Sequence, residues 1–395
     1  MATSGVTEGL LNAVDRIRPI IKEHAASAEA NRQLAGQVCD AMYQAGLFGM
    51  LAPKARGGHE LHPREYMRVL EAVARIDSAA AWNLNMNQLV ANFAAWLPAE
   101  GADEMFDGGV PTAAGAFHPP AEATRVAGGW QITGQVPFSS GCHHAKWLVM
   151  AAVEMEGDHQ KLDPASGQPA PFAAFFPRSA DKIKDTWHTV GMRGTGSADI
   201  AVQDLFVPDR MTAPVAPLKN PAPGFAGPLF RMFPLHGILG EAIVSVGVAA
   251  AAIDEAVRLC ATKTPAYNSV PLREQQLAQY QMAKAKARVE ASRDTLHRAA
   301  DAAYDEVAAT AASLSLEAKI RLQLATSFAA EACAEAVRLA NDAVGASSIR
   351  LGNPFERHFR DLHVLMQHSD KSSPRYASAG RLMFGLENDW VWLSF

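Results

Sequence analysis

Apolar residues recur at helical spacing over both ends of this chain, and they alternate over short runs in the middle. From residue 6 to residue 107, Ala, Leu, Glu and Arg are frequent and few glycines or prolines interrupt the pattern. Ala-rich helices of this kind persist only when they pack against other helices. We therefore predict an N-terminal helical domain over residues 1–110, in which Asp77 or Ser78 caps the start of one helix.

Six short, partly alternating runs divided by Gly, Pro and Asp occupy the middle of the chain. Runs of this kind are typical of antiparallel strands. They cover residues 112–116, 124–126, 130–136, 147–153, 172–176 and 200–206. We predict a β domain over residues 111–213 and, after it, a proline-rich connector over residues 214–235.

Long Ala-rich helical patterns return in the last part of the chain. They cover residues 236–262, 273–305, 314–344 and 354–367. Long helices joined by short loops indicate a bundle, so we predict a C-terminal four-helix bundle over residues 236–395. The most apolar stretch, residues 242–253, is about twelve residues long. Because a membrane span takes about twenty, we predict a buried core helix there and no contact with a membrane.

The helix predicted from Pro354 to Gln367 has two distinct faces. Proline favours the first turn of a helix, where an N–H has no intrahelical partner. One face is an apolar stripe that should pack against other helices, formed by Phe355, Phe359, Leu362 and Met366. The other face carries Arg357, Asp361, Val364 and His368. That second face is either solvated or turned towards a pocket.

Composition and charge exclude several classes of protein. The chain has 395 residues, of which 49% are hydrophobic and 19% charged, as in an ordinary globular protein. A net charge of −5 without any basic block argues against a nucleic-acid partner or an anionic membrane surface. We see no basic segment followed by an apolar run at the N-terminus, so we expect no signal peptide.

The cysteines and histidines do not predict a metal site. Four cysteines lie far apart without a C-x-x-C pair, which indicates neither a disulfide framework nor a zinc site and fits a reducing cytoplasm. His358, His363 and His368 are spaced by five residues, which rotates successive side chains by about 140° on a helix. Those three imidazoles cannot converge on one ion, and we predict no metal.

The segment Gly345-Ala-Ser-Ser-Ile-Arg-Leu-Gly-Asn-Pro354, followed by Arg360-Asp361, resembles the last catalytic segment of the acyl-CoA dehydrogenase superfamily. In the dehydrogenases the Arg-Asp pair leads to a Tyr-Glu-Gly triplet whose Glu removes the substrate α-proton. Here the triplet is His368-Ser369-Asp370, so the Glu is absent and a His replaces the Tyr. That replacement resembles the flavin-dependent monooxygenase branch of the superfamily.

The order of helices, small β domain and helical bundle is similar to that superfamily over nearly the whole chain. The resemblance implies a mainly α fold with a central β domain, namely N-terminal helices, a small antiparallel β-barrel domain and a C-terminal four-helix bundle. Members are usually homotetramers, and the broad apolar faces of residues 314–344 suit a partner subunit.

Two segments resemble flavin-binding elements of the superfamily. In Gly128–Trp147 the sequence Phe138-Ser139-Ser140 stands where an aromatic residue and a hydroxyl lie against the flavin ring. A hydroxyl that donates to flavin N5 would stabilise a C4a-hydroperoxide in an oxygenase. The alternative is a Ser-Ser-Gly turn whose hydroxyls bond the local backbone. Trp187–Ile200 is similar to the motif G-x-R-x-T-x-S-x-D, in which glycines let the backbone pass close to a ligand.

The resemblance implies a set of site residues. The expected cofactor-binding residues are Phe138, Ser139, Ser140, Trp187, Arg193, Thr195, Ser197 and Arg350. The expected catalytic residues are His368, Ser140 and His118. Imidazole titrates near neutrality, so His368 is suited to handling a proton, although it could also be a structural His paired with Asp361 or Asp370.

The adenosine-binding segment of the dehydrogenases, Arg-x-x-Phe-Gly, is absent from residues 262–271. We therefore expect reduced FMN as the cofactor, with FADH2 as the alternative, and O2 as co-substrate. The implied activity is that of the oxygenase component of a two-component monooxygenase, which hydroxylates an aromatic or polycyclic small molecule and receives reduced flavin from a separate reductase. One alternative is an FAD-dependent acyl-CoA dehydrogenase or nitroalkane-type oxidase with Asp370 as its base. Another is a non-catalytic helical scaffold of the same fold.

Overall fold

Five helices precede the sheet in the computed structural model, which describes residues 2–164, 166–215 and 221–394. They are α1 (Ala2–Asn31), α2 (Gly36–Gln44), α3 (Pro63–Ala74), α4 (Ser78–Ala91) and α5 (Ala99–Phe106). Asp77 caps α4, because its carboxylate accepts a hydrogen bond of 2.8 Å from the Ala80 N–H. Of the two caps predicted there, the structure therefore uses Asp77.

The strands of the middle region form one mixed sheet. They are β1 (Ala113–Val126), β2 (Gly129–Val136), β3 (Trp147–Glu156), β4 (His159–Gln160), β5 (Phe172–Pro177), β6 (Ile183–Lys184), β7 (Asp199–Pro208) and β8 (Thr212–Pro214). Their order is β6-β7-β2-β1-β3-β5-β8, and β4 pairs with the end of β3. Among the described residues no pairing joins β6 to β8.

The prediction of purely antiparallel strands was wrong for one pair, since β1 and β3 run parallel. β2 pairs antiparallel with one edge of β1, and the chain then returns along the other edge as β3, in the direction of β1. β1 also joins two runs that we predicted as separate strands. Its register shifts between Ala116 and Ala121, where two prolines have no N–H to offer to the ladder.

The helices after the sheet are α6 (Pro228–Arg231), α7 (Leu235–Thr262), α8 (Gln276–Thr310), α9 (Leu316–Val344), α10 (Pro354–Leu365) and α11 (Pro374–Met383). Pro354 opens α10 as predicted, and the Asn353 side chain accepts from the Phe355 N–H. The helix ends two residues before the predicted Gln367, so His368 lies in the turn beyond it. In the predicted connector, residues 216–220 lie outside the described residues.

Helix α7 is the central element of the fold. Its 28 residues agree with the helix predicted at residues 236–262 and extend well beyond the twelve most apolar ones. Its length and composition alone would allow it to cross a membrane. Every residue of its most apolar window is buried inside the protein, so it is the core helix that we expected. It packs against α3 so closely that a Cβ on Gly247 would lie 2.5 Å from the Ala74 Cβ.

Two apolar cores meet beside the first half of α7. One joins the N-terminal helices to the bundle, and the other fills the space between the sheet and the end of α4. Met86 on α4 contacts both cores. The N-terminal helices, the sheet and the bundle therefore converge at α4 and α7. The predicted domain bounds at residues 110, 213 and 235 stay predictions.

Candidate functional site

Trp82, near the start of α4, connects the sheet to the bundle. Its indole Nε1 donates a hydrogen bond of 3.0 Å to Ser140 Oγ in the loop after β2. The edge of the same side chain meets the His368 imidazole, with ring centroids 5.1 Å apart. The structure thus brings Ser140 and His368, two of the predicted catalytic residues, to opposite sides of one indole.

The predicted cofactor hydroxyls form a buried chain. Ser197 Oγ lies 2.8 Å from Ser140 Oγ and 2.6 Å from Thr195 Oγ1, which in turn donates to the Met192 carbonyl at 2.8 Å. These hydroxyls therefore already have partners in the protein. Ser139 differs, because its hydroxyl is fully buried and has no hydrogen-bond partner among the described residues. An unpartnered buried hydroxyl costs free energy unless a ligand completes it.

Next to Ser139 in the chain, the exposed Phe138 contacts the half-buried Trp187. Phe138 is 68% exposed and adopts a φ of 59°, in the left-handed region that a phenylalanine rarely occupies. Its ring stands nearly perpendicular to that of Trp187, with centroids 6.2 Å apart. Trp187 is held in turn by a bond of 3.0 Å from its Nε1 to the Met192 carbonyl. Open rings next to an unpartnered hydroxyl fit a planar, hydrogen-bonding ring system such as a flavin.

Three other predicted residues do not join this arrangement. Arg193 is half-buried, and its Nε donates to the Glu29 carbonyl at 3.1 Å, which ties the loop to α1. The side chains of Arg350 and His118 are exposed and make no hydrogen bond or ion pair with the described residues. His118 lies at the register shift of β1. Neither contacts His368 in this structure.

His368 faces two carboxylates. Its Nδ1 lies 2.9 Å from Glu241 Oε2 on α7 and 3.9 Å from Asp370 Oδ2. Lys371 completes the group, because its Nζ donates to the Glu241 carbonyl at 3.0 Å and lies 4.8 Å from the centre of the Trp82 ring. We call these four residues, Glu241, His368, Asp370 and Lys371, the charged cluster. All but His368 are buried, and 30% of the His368 side chain is exposed.

Burial and charge shift the pKa values of His368, Asp370 and Lys371. Burial lowers the pKa of His368, but the carboxylates of Glu241 and Asp370 outweigh it, so the pKa is raised above 6.5. Burial, and then the Glu241 charge, raises the pKa of Asp370 to about 6. Burial lowers the pKa of Lys371 to about 8. Groups with such values exchange protons readily at physiological pH, as expected of a catalytic site.

The charged cluster also contains a ligand set that the sequence did not suggest. The ligand atoms of Glu241, His368 and Asp370 all lie within 4.8 Å of one another, close enough to hold a divalent cation. Our prediction of no metal considered the four cysteines and the three histidines His358, His363 and His368, and it did not include this set. The ammonium of Lys371 already supplies a positive charge at the same place.

The second face of α10 is neither solvated nor part of a pocket, contrary to both alternatives we considered. Arg357 donates to Asp77 Oδ2 at 2.7 Å, and Asp361 Oδ1 accepts from the Met192 N–H at 2.6 Å. Asp361 also accepts from the Ser78 hydroxyl. These side chains fasten α10 to α4 and to the Met192 loop, and only His368, beyond the helix end, reaches the site.

The sequence analysis missed Trp82, Glu241 and Lys371. A signal existed for Glu241, since it is a charged residue directly before the most apolar run of the chain. Buried charges of this kind are rare without a partner or a function. Trp82 stood next to the three asparagines of α4, where nothing in the sequence distinguished it from a core aromatic residue.

Comparison with known proteins agrees with this geometry. Residues 13–100 match the family model of the acyl-CoA dehydrogenase N-terminal domain, and residues 239–372 match a model of the C-terminal domain. The chain is 30% identical over 389 residues to indole-3-acetate monooxygenase of Pseudomonas putida, covering 98% of this chain and 95% of that one. It is 28% identical to the oxygenase component of the FADH(2)-dependent resorcinol hydroxylase of Rhizobium sp., covering 96% and 94%.

Solved structures have the same fold. XiaF from Streptomyces sp., in complex with FADH2 and glycerol, superposes with a TM-score of 0.87 at 24% identity, and 98% of each chain is covered. The 3-HSA hydroxylase from Rhodococcus sp. superposes with a TM-score of 0.86 at 21% identity, covering 97% of this chain and 98% of that one. These likenesses confirm the predicted fold class.

The chain belongs to the acyl-CoA dehydrogenase superfamily. Within it, the chain is a flavin-dependent monooxygenase that uses reduced flavin and O2. The predicted family and class of enzyme are confirmed, and the dehydrogenase and scaffold alternatives are disfavoured.

Proposed function

We propose that this chain is the oxygenase component of a two-component system, which hydroxylates a small aromatic compound with reduced flavin supplied by a separate reductase. The observation that carries this proposal is the contact of Trp82 with both Ser140 and His368. It supports a single site in which the loop of Ser140 faces the flavin and His368 handles a proton. The names of the relatives, indole-3-acetate monooxygenase and resorcinol hydroxylase oxygenase component, support the aromatic substrate and the separate reductase.

Each group has a proposed task. Bound reduced flavin supplies the electrons that activate O2 for transfer of one oxygen atom. Phe138 and Trp187 bind the flavin ring, and Ser139 offers it a hydroxyl in place of Ser140, whose hydroxyl is already bonded. Ser140, Thr195 and Ser197 hold the shape of the loop behind that ring. His368 holds or moves a proton at its Nε2.

Arg193 and Arg350 remain proposed cofactor residues, and His118 a proposed catalytic one. Arg350 is exposed, so its guanidinium is free to pair with a flavin phosphate. Residues 262–271 lack the adenosine-binding segment that the dehydrogenases carry at that place, which supports FMN over FADH2.

A buried cluster of aromatic side chains just after α4 and just before α7 supports an aromatic substrate. Phe93, Trp96 and Phe233 pack edge to face or tilted, with centroids 4.6 to 6.4 Å apart, and His236 lies 5.5 Å from Phe233. Both nitrogens of the buried His236 and Nε1 of Trp96 have no hydrogen-bond partner among the described residues. Burial lowers the pKa of His236 to about 3, so the ring is neutral. A hydroxyl on an aromatic molecule could accept from Nε1 of Trp96 or exchange hydrogen bonds with His236, whereas a ring N–H could only donate to the unprotonated His236 nitrogen.

Isotope transfer tests the proposal directly. We expect protein mixed anaerobically with reduced FMN, and then with ¹⁸O₂ and indole-3-acetate or resorcinol, to place one ¹⁸O atom in an aromatic product. Ser139→Ala should weaken the binding of reduced FMN by about 2- to 10-fold, as loss of one hydrogen bond implies. The matched control is Ser27→Ala on α1, whose hydroxyl bonds only the local His24 carbonyl. The proposal would be contradicted if reduced FMN and FADH2 were both reoxidised at the rate measured without protein and no product carried ¹⁸O.

We also infer a homotetramer that works in the cytoplasm. All four cysteines are free thiols, which suits a reducing compartment.

Large apolar side chains are exposed on α8 and α9, namely Leu277, Tyr280, Leu316 and Phe328. Burial of such side chains against other subunits would stabilise an assembly. Light scattering after size-exclusion chromatography should give about four times the chain mass of 42.3 kDa, and a monomer at micromolar concentration would refute the assembly.

A further inference from the structure

Glu241 is the least expected charge in the molecule. It lies in the apolar first half of α7, its side chain is fully buried, and neither carboxylate oxygen makes a hydrogen bond of normal geometry with a described residue. Burying a carboxylate without a partner costs several kcal/mol, so such a residue needs a compensating contact. The nearest candidate is Nδ1 of His368, at 2.9 Å from Oε2.

We propose that Glu241 is a positioning residue for His368, which holds the imidazole by Nδ1 and leaves Nε2 for the reacting molecules. This inference rests on the proposed role of His368 and adds a residue that the proposed function does not include. The Nδ1–Oε2 distance is short but the two groups are poorly aligned for a hydrogen bond. Catalytic hydrogen bonds are often misaligned before ligands bind and improve in the complex.

Glu241 also controls the charge state of the imidazole. With a neutral His368, the two carboxylates of the charged cluster would face Lys371 alone and leave one buried negative charge. A proton on His368 removes that imbalance, which is the physical reason that its pKa is raised despite burial. Asp370, whose pKa is raised to about 6, is the competing site for that proton.

Asp370 also faces Glu241, which raises its pKa, but the other groups around Glu241 do not replace the contact with His368. Tyr66 on α3 is near enough for Glu241 to add to the effect of burial in raising its pKa, but its hydroxyl bonds Asn85 instead. Lys371 Nζ binds the main-chain carbonyl of Glu241 and lies 3.4 Å from Ser245 Oγ. Cys333 on α9 lies near Lys371, but burial raises the pKa of the Cys333 thiol to about 12. The thiol therefore stays uncharged. His368 is therefore the side chain that the Glu241 carboxylate positions.

Titration of His368 in the flavin-free protein tests the inference without any turnover. Histidine Cε1 carbons are labelled with ¹³C, and the His368 signal is assigned by its loss in His368→Gln. EDTA is present throughout, so no cation occupies Glu241, His368 and Asp370. We expect the His368 midpoint to lie above 6.5 in the wild type and to fall by about 1 to 3 pH units in Glu241→Gln, since an opposite charge at this distance has been removed.

Two further variants keep the result interpretable. Glu241→Asp retains the negative charge but moves it away from His368, so the His368 midpoint should lie between those of the wild type and Glu241→Gln. This variant also tests the inference if Glu241→Gln fails to fold. Asp370→Asn, whose carboxylate is farther from Nδ1, should shift the midpoint less than Glu241→Gln does. The basic limb of the kcat–pH profile should move with the midpoint, while the Kd for reduced FMN stays within about twofold.

A His368 midpoint in Glu241→Gln and Glu241→Asp that matches the wild type would overturn the inference. If the midpoint shifted as expected but the protein transferred no ¹⁸O to any aromatic product, the positioning role of Glu241 would stand and the proposed function would be refuted. If Zn²⁺ added without EDTA abolished the titration of His368 in the wild type but not in Glu241→Gln, the three ligands would be assigned to a metal, and the positioning role would also be overturned.

Discussion

His368→Gln should lower the rate of aromatic hydroxylation by about 10²- to 10⁴-fold, the range lost when a general acid or base is removed. The amide keeps a similar volume next to Trp82 but cannot take up a proton near neutral pH. Oxidation of reduced flavin should continue, because Phe138 and Ser139, the proposed flavin-binding residues, are unchanged. Product and hydrogen peroxide are measured together, and we expect peroxide to account for nearly all the oxygen consumed.

The matched control for this substitution is His363→Gln. His363 lies on α10, five residues before His368, and is exposed, with Nδ1 in contact with the Phe359 carbonyl at 2.7 Å. This variant should hydroxylate at the wild-type rate. Equal hydroxylation by His368→Gln and His363→Gln would remove His368 from the catalytic site, whatever the state of its protonation.

Asp361→Ala should lower the free energy of unfolding by about 3 kcal/mol or more, the cost of leaving a buried ion pair without one partner. Asp361 is buried, lies 3.5 Å from Arg357, and accepts hydrogen bonds from Ser78 and from the Met192 N–H. Burial raises the pKa of Asp361, whereas Arg357 and the hydrogen bonds from Ser78 and Met192 lower it. These contacts therefore stabilise a carboxylate whose charge burial disfavours. Urea unfolding followed by tryptophan fluorescence measures the loss.

Asp342→Ala is the comparison for Asp361→Ala. Asp342 also pairs with an arginine, Arg338 at 2.8 Å, but both side chains are about half exposed on α9. Exposed pairs of this spacing contribute little, so the free energy of unfolding should change by no more than about 0.5 kcal/mol. If the two substitutions had similar effects, the view that Asp361 fastens α10 to α4 would be wrong.

Helical periodicity predicted the long helices because each of them buries one face of its own sequence. The start of α10 was readable for a local reason, since Pro354 and Asn353 supply the first turn and its cap. The parallel pairing of β1 with β3 could not be predicted from the sequence. The alternation of apolar and polar residues in a strand does not indicate along which edge of the sheet the chain returns. For α7, length and composition could not separate a core helix from a membrane span, and only its burial did.

The site was predictable in part for the same reason. Phe138, Ser139, Ser140 and His368 stand in segments that resemble flavin-binding and catalytic motifs, so each was found from its own neighbours in the chain. Their roles stay predictions until the experiments above are done. Their choice of partners was not predictable: Ser140 bonds Trp82, while Ser139 is left without a partner.

By itself the sequence determined the helices, the β region, the family and the position of His368, because those features depend on local patterns. The tertiary structure alone decided what faces His368. Lys371 and Glu241 are 130 residues apart, and their contact depends on how α7 packs beneath the turn after α10. The same packing places Glu241 Oε2 beside Nδ1 of His368 and Trp82 between Ser140 and the imidazole. Contacts between distant segments arise from the packing of whole helices, and no local pattern records them.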